Sequence, residues 1–254
     1  MKPTVKVSLI ASLAFGLFTL PNTLSLTGVD VLGGKAVAQE RKTKKVPAMR
    51  ERVYSQLARA QKIADEKGAD EGLAVLDEVK ERLSQMNSYE RAMLWNFYGF
   101  TYYNAERTAD AINSFEKVVA EETIPESLMK STLFSLAQLS MSQDDYGKTL
   151  DYLKQWQKVN GAALKPNEHL LFSQVYYQLK QYTKALEPIN AAIASVEAEG
   201  KPAKENWLVL QRAIYFELKQ PEKVTEVLEK MVRLFNKPKY WIQLAGMYGE
   251  VGQE

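Results

Sequence analysis

The stretch from Trp95 to Val118 constrains the fold of this chain more than any other. Its first half places apolar residues at i, i+3, i+4 and i+7, which is the spacing of one helix face. A short polar segment, residues 104–107, then interrupts the pattern, and a second helical stripe follows. A small residue opposite a bulky one lets two antiparallel helices approach closely, so the stretch predicts a helix hairpin. The first stripe consists of Trp95, Tyr98, Gly99 and Tyr102, and the second of Ala111, Ile112, Phe115 and Val118.

This spacing resembles the tetratricopeptide repeat (TPR), in which W-x2-L-G-x2-Y is followed by A-x3-F and a closing proline. The matching residues are Trp95, Tyr98 at the leucine place, Gly99, Tyr102, Ala111 and Phe115, with Pro125 near the closing proline. The resemblance implies an all-α fold, a right-handed α-solenoid of TPR-like helix pairs. Tyr98 departs from the pattern but is still large and apolar.

The pattern recurs along the chain. The small position of the second helix repeats at spacings of 39, 38, 36 and 39 residues, longer than the 34 of the standard repeat. We expect a TPR-like repeat domain over 49–254, with pairs at about 49–85, 90–122, 126–160, 166–199 and 203–236 and a final helix at 238–252. The small residues are Gly72, Ala111, Thr149, Ala185 and Val224. Trp241 in the final helix has no second helix to pack against, so we expect further chain or a partner to cover it.

Residues 1–38 have the pattern of a signal peptide. Lys2 and Lys6 precede a 14-residue apolar run, and Ala36-Val37-Ala38 is a small-x-small cleavage pattern. A retained membrane anchor is the alternative, but the run is shorter than the roughly 20 residues that span a bilayer. We therefore expect an exported chain that begins at Gln39 and has no transmembrane segment. Residues 39–48 are polar and basic, and we predict a flexible leader there.

Charge and cysteine content exclude several classes of function. The formal net charge is +2, but residues 39–254 hold 30 basic and 30 acidic residues, so nothing indicates a nucleic-acid partner. The absence of cysteine excludes disulfides, cysteine-ligated zinc, thiol catalysis and a lipoprotein anchor.

No pattern of catalytic residues is present. The single histidine, His169, lies in a predicted first helix without a partner group for acid–base work or metal binding. No nucleophile elbow and no phosphate-binding glycine loop occurs. We therefore expect a protein that is not an enzyme, with no catalytic residue, no metal site and no cofactor.

The resemblance implies that the first helices line a groove for a peptide or partner segment. The groove positions carry rings and amides without Lys or Arg, which disfavours a clamp for a carboxylate. Such a surface suits an extended peptide or an apolar helix. For Tyr103 and Tyr177, packing against a neighbouring repeat is an equal alternative. The predicted binding residues are Asn96, Phe100, Tyr103, Asn104, Phe134, Gln138, Gln174, Tyr177, Gln178 and Phe216, beside apolar Met141, Leu170 and Val209.

The whole chain also resembles the TPR proteins associated with TonB–ExbB–ExbD systems of Gram-negative bacteria. The similarity lies in the Ala-Val-Ala-Gln start, the long repeats and the tyrosine-rich first helices. It implies a periplasmic scaffold that supports TonB-dependent uptake of iron complexes, with TonB, ExbB or ExbD as partner. The alternative is an assembly factor for outer-membrane proteins or cell-wall enzymes, in which the basic leader touches peptidoglycan.

Overall fold

The computed structural model describes residues 45–252, which form helices joined by short turns, with no β-strand in that range. Consecutive helices pack as hairpins, and each hairpin packs on the next. The all-α, right-handed solenoid of TPR-like helix pairs is thereby confirmed. The helices are α1 (Glu51–Lys67), α2 (Ala69–Lys80), α3 (Ser88–Asn104), α4 (Thr108–Val119), α5 (Glu126–Ser142), α6 (Tyr146–Asn160), α7 (Pro166–Gln178), α8 (Tyr182–Ala198), α9 (Glu205–Glu217), α10 (Pro221–Phe235) and α11 (Pro238–Val251).

Five hairpins and a last first-helix make up this range: α1–α2, α3–α4, α5–α6, α7–α8, α9–α10, and α11. A 3₁₀ turn at Leu83–Gln85 links the first hairpin to the second. The predicted signal peptide, residues 1–38, lies outside the described residues, as does most of the predicted leader. Its last residues, 45–48, have no regular secondary structure.

The second hairpin shows how the helices approach. Gly99 on α3 faces the ring of Phe115 on α4, and a Cβ built on Gly99 would lie 2.5 Å from a ring carbon. Phe115 is buried, as is Ala111 one turn earlier. The glycine therefore makes room for the ring, which is the large-into-small packing expected from the sequence.

In the first hairpin, the glycine at the close contact lies on the second helix of the pair instead of the first. A Cβ built on Gly72 of α2 would lie 2.5 Å from the Cβ of Ala64 on α1. The turn between the two helices is one residue long, because α2 begins at Ala69 and Gly68 alone joins the helices. Gly68 has a φ of 115°, a backbone conformation that residues with a Cβ rarely adopt.

The start of α1 is tied to the second hairpin by Arg50 and Glu90. The Arg50 side chain donates from Nε to Oε1 of Glu90 at 2.8 Å and from Nη2 to Oε2 at 2.7 Å. The backbone N–H of Arg50 adds a bond of 2.9 Å. The Arg50 side-chain hydrogen bond lowers the pKa of Glu90 to about 2, against the opposing effect of burial and with help from backbone N–H groups of Arg50 and Asn87.

We expect Gly99→Ala to lower the free energy of unfolding by about 1–3 kcal/mol, because the added methyl group overpacks the contact with Phe115. Urea unfolding followed by circular dichroism measures this change. Gly246→Ala on α11 is the matched control, since nothing lies within 4 Å of a Cβ built there. It should raise stability by about 0.5–1 kcal/mol, as alanine does in a helix interior. A neutral Gly99→Ala would contradict the packing described.

We expect Glu90→Gln to lower the free energy of unfolding at pH 7 by about 1.5–3 kcal/mol, the usual worth of hydrogen bonds to a charged group. The folded pKa of Glu90 lies below its unfolded value, so its contribution is complete above pH 5 and is lost as pH falls towards 2. The difference between wild type and variant should therefore shrink over that range. Glu187→Gln, at an exposed position on α8, is the control and should show no such pH dependence.

Candidate functional site

The candidate site is the surface made by the first helices of successive hairpins. We call it the first-helix face and define it by the ten predicted residues on α3, α5, α7 and α9. Two pairs of neighbouring first helices pack against each other, α1 with α3 and α7 with α9. The predicted residues are therefore spread along adjacent helices.

None of the ten predicted residues is buried. Phe216 is 67% exposed and Tyr103 36% exposed, and Asn104 and Gln178 are exposed too. The others are half-buried: Asn96, Phe100, Phe134, Gln138, Gln174 and Tyr177. Buried positions on the same helices, such as Tyr98 and Leu136, hold the hairpins together instead. Binding by the ten residues stays a prediction, and their exposure makes them available for it.

Two of the predicted rings are fixed by the core behind them. The centroid of the Phe100 ring lies 5.2 Å from that of Phe115, edge to face. The Phe134 ring lies 5.5 Å from buried Trp156. Rings held in this way present apolar area without losing much conformational entropy when a ligand binds.

The fourth and fifth hairpins bring Tyr177 into a polar setting. Its ring lies 5.5 Å from that of Tyr182 at the start of α8. Burial and the nearby Glu217 carboxylate raise the pKa of Tyr177, and the Arg212 guanidinium lowers it. Burial and Glu217 likewise raise the pKa of Tyr182. Tyr177 thus belongs partly to the joint between hairpins and partly to the face.

Arg212 is a residue that sequence reasoning missed. It occupies the place on α9 where the repeat has a small residue. Its charge lies close enough to act on Tyr177, which puts a cation beside the first-helix face. Its Nε is buried, and no hydrogen-bond partner for it exists among the described residues. The signal was present in the sequence, as a long cation where close helix packing calls for a small residue.

The opposite end of the face contains a cavity of about 160 Å³ between α1 and α3. Of the predicted residues only Asn104 lines it. The first hairpin has no aromatic residue at the matching places, so no residue of α1 was predicted to bind. The lining residues are Gln61, Ala64, Asp65, Ala69, Thr101 and Asn104.

Comparison with known proteins supports the fold. No protein-family model matches the sequence, and no curated protein matches it. YrrB, a TPR protein with an unusual peptide-binding site, is 16% identical over 75% of this chain and 90% of its own, with a TM-score of 0.53. MamA of AMB-1 is 11% identical over 72% of this chain and 91% of its own, also with a TM-score of 0.53. A MamA double mutant from RS-1 is 14% identical over 74% of this chain and 96% of its own, again with a TM-score of 0.53. The fold is that of TPR solenoids.

Residues 45–252 contain neither a metal-binding cluster nor a helix suited to a membrane. No group of three or more His, Asp or Glu side chains there is arranged to hold a metal ion. His169 lies half-buried on α7. None of the helices in this range combines the length and the apolar character needed to span a bilayer.

We expect Arg212→Met to raise the free energy of unfolding by about 1 kcal/mol. Methionine keeps most of the apolar stem but removes a buried donor without a partner, which costs about 1–3 kcal/mol. Urea denaturation measures the change. Arg233→Met on the exposed side of α10 serves as control and should stay within about 0.5 kcal/mol of wild type. A destabilised Arg212→Met would show that the charge has a structural partner.

Proposed function

We propose that this protein is a non-enzymatic periplasmic scaffold that holds an extended segment of a partner protein on its first-helix face. The observation that carries the proposal is the composition of that face, in which rings and side-chain amides are exposed or half-buried on four successive first helices. An extended peptide needs apolar area for its side chains and donors and acceptors for its backbone. Rings such as Phe216 supply the area, and amides such as Gln138 supply both donor and acceptor.

The fold supports the same function. The solved structure of YrrB, with the same solenoid fold, is described as having a peptide-binding site. Phe216 and Tyr103 are large apolar side chains that lie outside the buried core, so their rings are open to a partner. A non-enzymatic role is consistent with the lack of a catalytic constellation in the sequence.

We further propose that the partner belongs to a TonB–ExbB–ExbD energy-transduction system. This step rests on the whole-sequence resemblance and on the signal-peptide pattern that ends at Ala38. In that setting the bound segment would be part of a protein that crosses the periplasm. The scaffold would hold it in position while TonB-dependent uptake of iron complexes proceeds.

The test is a pull-down of the chain from Gln39 against purified periplasmic domains of TonB and ExbD. We expect capture by wild type and at least tenfold less by Gln138→Ala combined with Tyr177→Ala, because both change the first-helix face. Gln157→Ala with Tyr146→Ala on α6 is the matched control and should bind like wild type. Equal capture by all three, or by none, would count against the proposal.

One observation favours the alternative, an assembly factor for outer-membrane proteins or cell-wall enzymes. Arg52 and Arg82, together with Arg50 that is paired with Glu90, line a cavity of about 80 Å³ where the basic leader joins α1. Such a surface favours anionic polymers. If deletion of residues 40–45 abolishes sedimentation with cell wall while TonB-system domains are not captured, the alternative is the better account.

A further inference from the structure

The cavity between α1 and α3 lies at one end of the first-helix face. Of the ten predicted residues, only Asn104 lines it. Asn104 is the last residue of α3, and Asp65 lies in the last turn of α1. Thr101 lines the cavity from α3, and its hydroxyl already donates to the Phe97 carbonyl at 2.8 Å. The polar groups left to meet a ligand are therefore the Asp65 carboxylate and the amides of Gln61 and Asn104.

Within the described part of the chain, Asp65 has one hydrogen bond and no ion pair. Gln61 donates from Nε2 to its Oδ1 at 2.8 Å. No Lys or Arg among residues 45–252 forms a salt bridge with it: Lys62 pairs with Glu66 at 3.8 Å and Arg107 with Asp110 at 2.8 Å. The carboxylate is exposed and lines the cavity without a counter-ion from residues 45–252.

Helix stability does not explain a carboxylate at this place. The C-terminal turn of a helix carries partial negative charge, and an acid there costs about 0.3–1 kcal/mol. Asp65 is two residues from the end of α1 at Lys67. The bond from Gln61 offsets part of that cost, since a Gln–Asp pair on one helix face contributes about 0.2–0.5 kcal/mol.

The amides around Asp65 complete a set of oxygen acceptors. Gln61 uses its N–H₂ group on Asp65, which leaves its amide oxygen as an acceptor. Asn104 adds a second amide oxygen at the exposed end of α3. A carboxylate with two amide oxygens suits an ammonium or guanidinium group, which has donors and no acceptor.

We propose that this cavity binds the lysine or arginine side chain of the segment held on the first-helix face. The inference rests on the proposed function and specifies the chemistry of the partner at one position. The size fits, because a cavity of about 150 Å³ takes a molecule as large as benzene. At about 160 Å³ this cavity takes the end of one long cationic side chain.

The first test needs no partner. The ¹⁵N-labelled chain from Gln39, which contains all the helices described above, is titrated with propylguanidinium chloride and observed by NMR. We expect saturable shifts of the side-chain amide signals of Gln61 and Asn104. The uncharged analogue propylurea should bind at least tenfold more weakly, since a charge-assisted bond is about twice as strong as a neutral one and the ion pair adds to it.

Variants separate the cavity from the rest of the surface. Asp65→Asn should abolish the saturable shifts yet leave the melting temperature unchanged or raised, because it removes a charge from the wrong end of α1. Asp151→Asn, at an exposed carboxylate on α6, is the matched control and should titrate like wild type. Equal binding of propylurea, unchanged binding by Asp65→Asn, or no saturation would overturn the inference.

The second test uses any partner domain captured in the pull-down. Asp65→Asn should weaken its binding at least tenfold, the range expected when a charged hydrogen-bond partner is lost. If the first-helix-face double variant loses the partner but Asp65→Asn keeps it, this inference is wrong and the proposed function stands. If no partner is captured while propylguanidinium binds through Asp65, the cavity is supported and the proposed function fails.

Discussion

The contact between a small residue on one helix and a bulky residue on its partner sets the geometry of the whole array. In the second hairpin Gly99 admits the ring of Phe115, and in the third Ala137 is buried at the matching place. Close approach lets each hairpin stack on the next, so that first helices become neighbours of first helices. Where the fifth hairpin has Arg212 instead, the side chain brings its charge to Tyr177 on the neighbouring first helix. The same packing of small residues against bulky ones therefore recurs along the fold. Where Arg212 replaces the small residue, it adds a positive charge near Tyr177.

Tyrosine–carboxylate hydrogen bonds join consecutive hairpins. Tyr98 on α3 donates to Asp77 on α2 at 2.5 Å, and Tyr152 on α6 donates to Glu116 on α4 at 2.5 Å. Burial, followed by the bonded carboxylate, raises the pKa of each of these two tyrosines, which therefore stay protonated donors at neutral pH. Tyr248 on α11 repeats the arrangement with a carboxylate on α10. These bonds fix how one hairpin sits on the next, and so keep the first-helix face continuous.

The sequence predicted the hairpins well because small and bulky residues at helical spacing are a local signal. It placed the turn of the second hairpin at residues 104–107, close to its position between α3 and α4. It did not predict the backbone conformation of the turns, where five residues with a Cβ have positive φ without a glycine to mark them: Glu106, Asp144, Lys180, Lys219 and Asn236. Nor did it predict the cavity, because Asp65 and Asn104 meet only through packing of α1 against α3. Arg212 is recognisable in the sequence as an exception to the small-residue pattern. The direction of its side chain, however, depends on packing against the neighbouring hairpin.

The central claim is that a partner segment lies on the first-helix face. Site-specific photocrosslinking in living cells tests it most directly, with a benzophenone side chain placed at Tyr103 or Phe216 and, as reference, at Lys154 on α6. All three positions are exposed. The account predicts crosslinks to the same partner from Tyr103 and Phe216 and none from Lys154. Crosslinks from Lys154 alone, or equal crosslinks from all three positions, would contradict it.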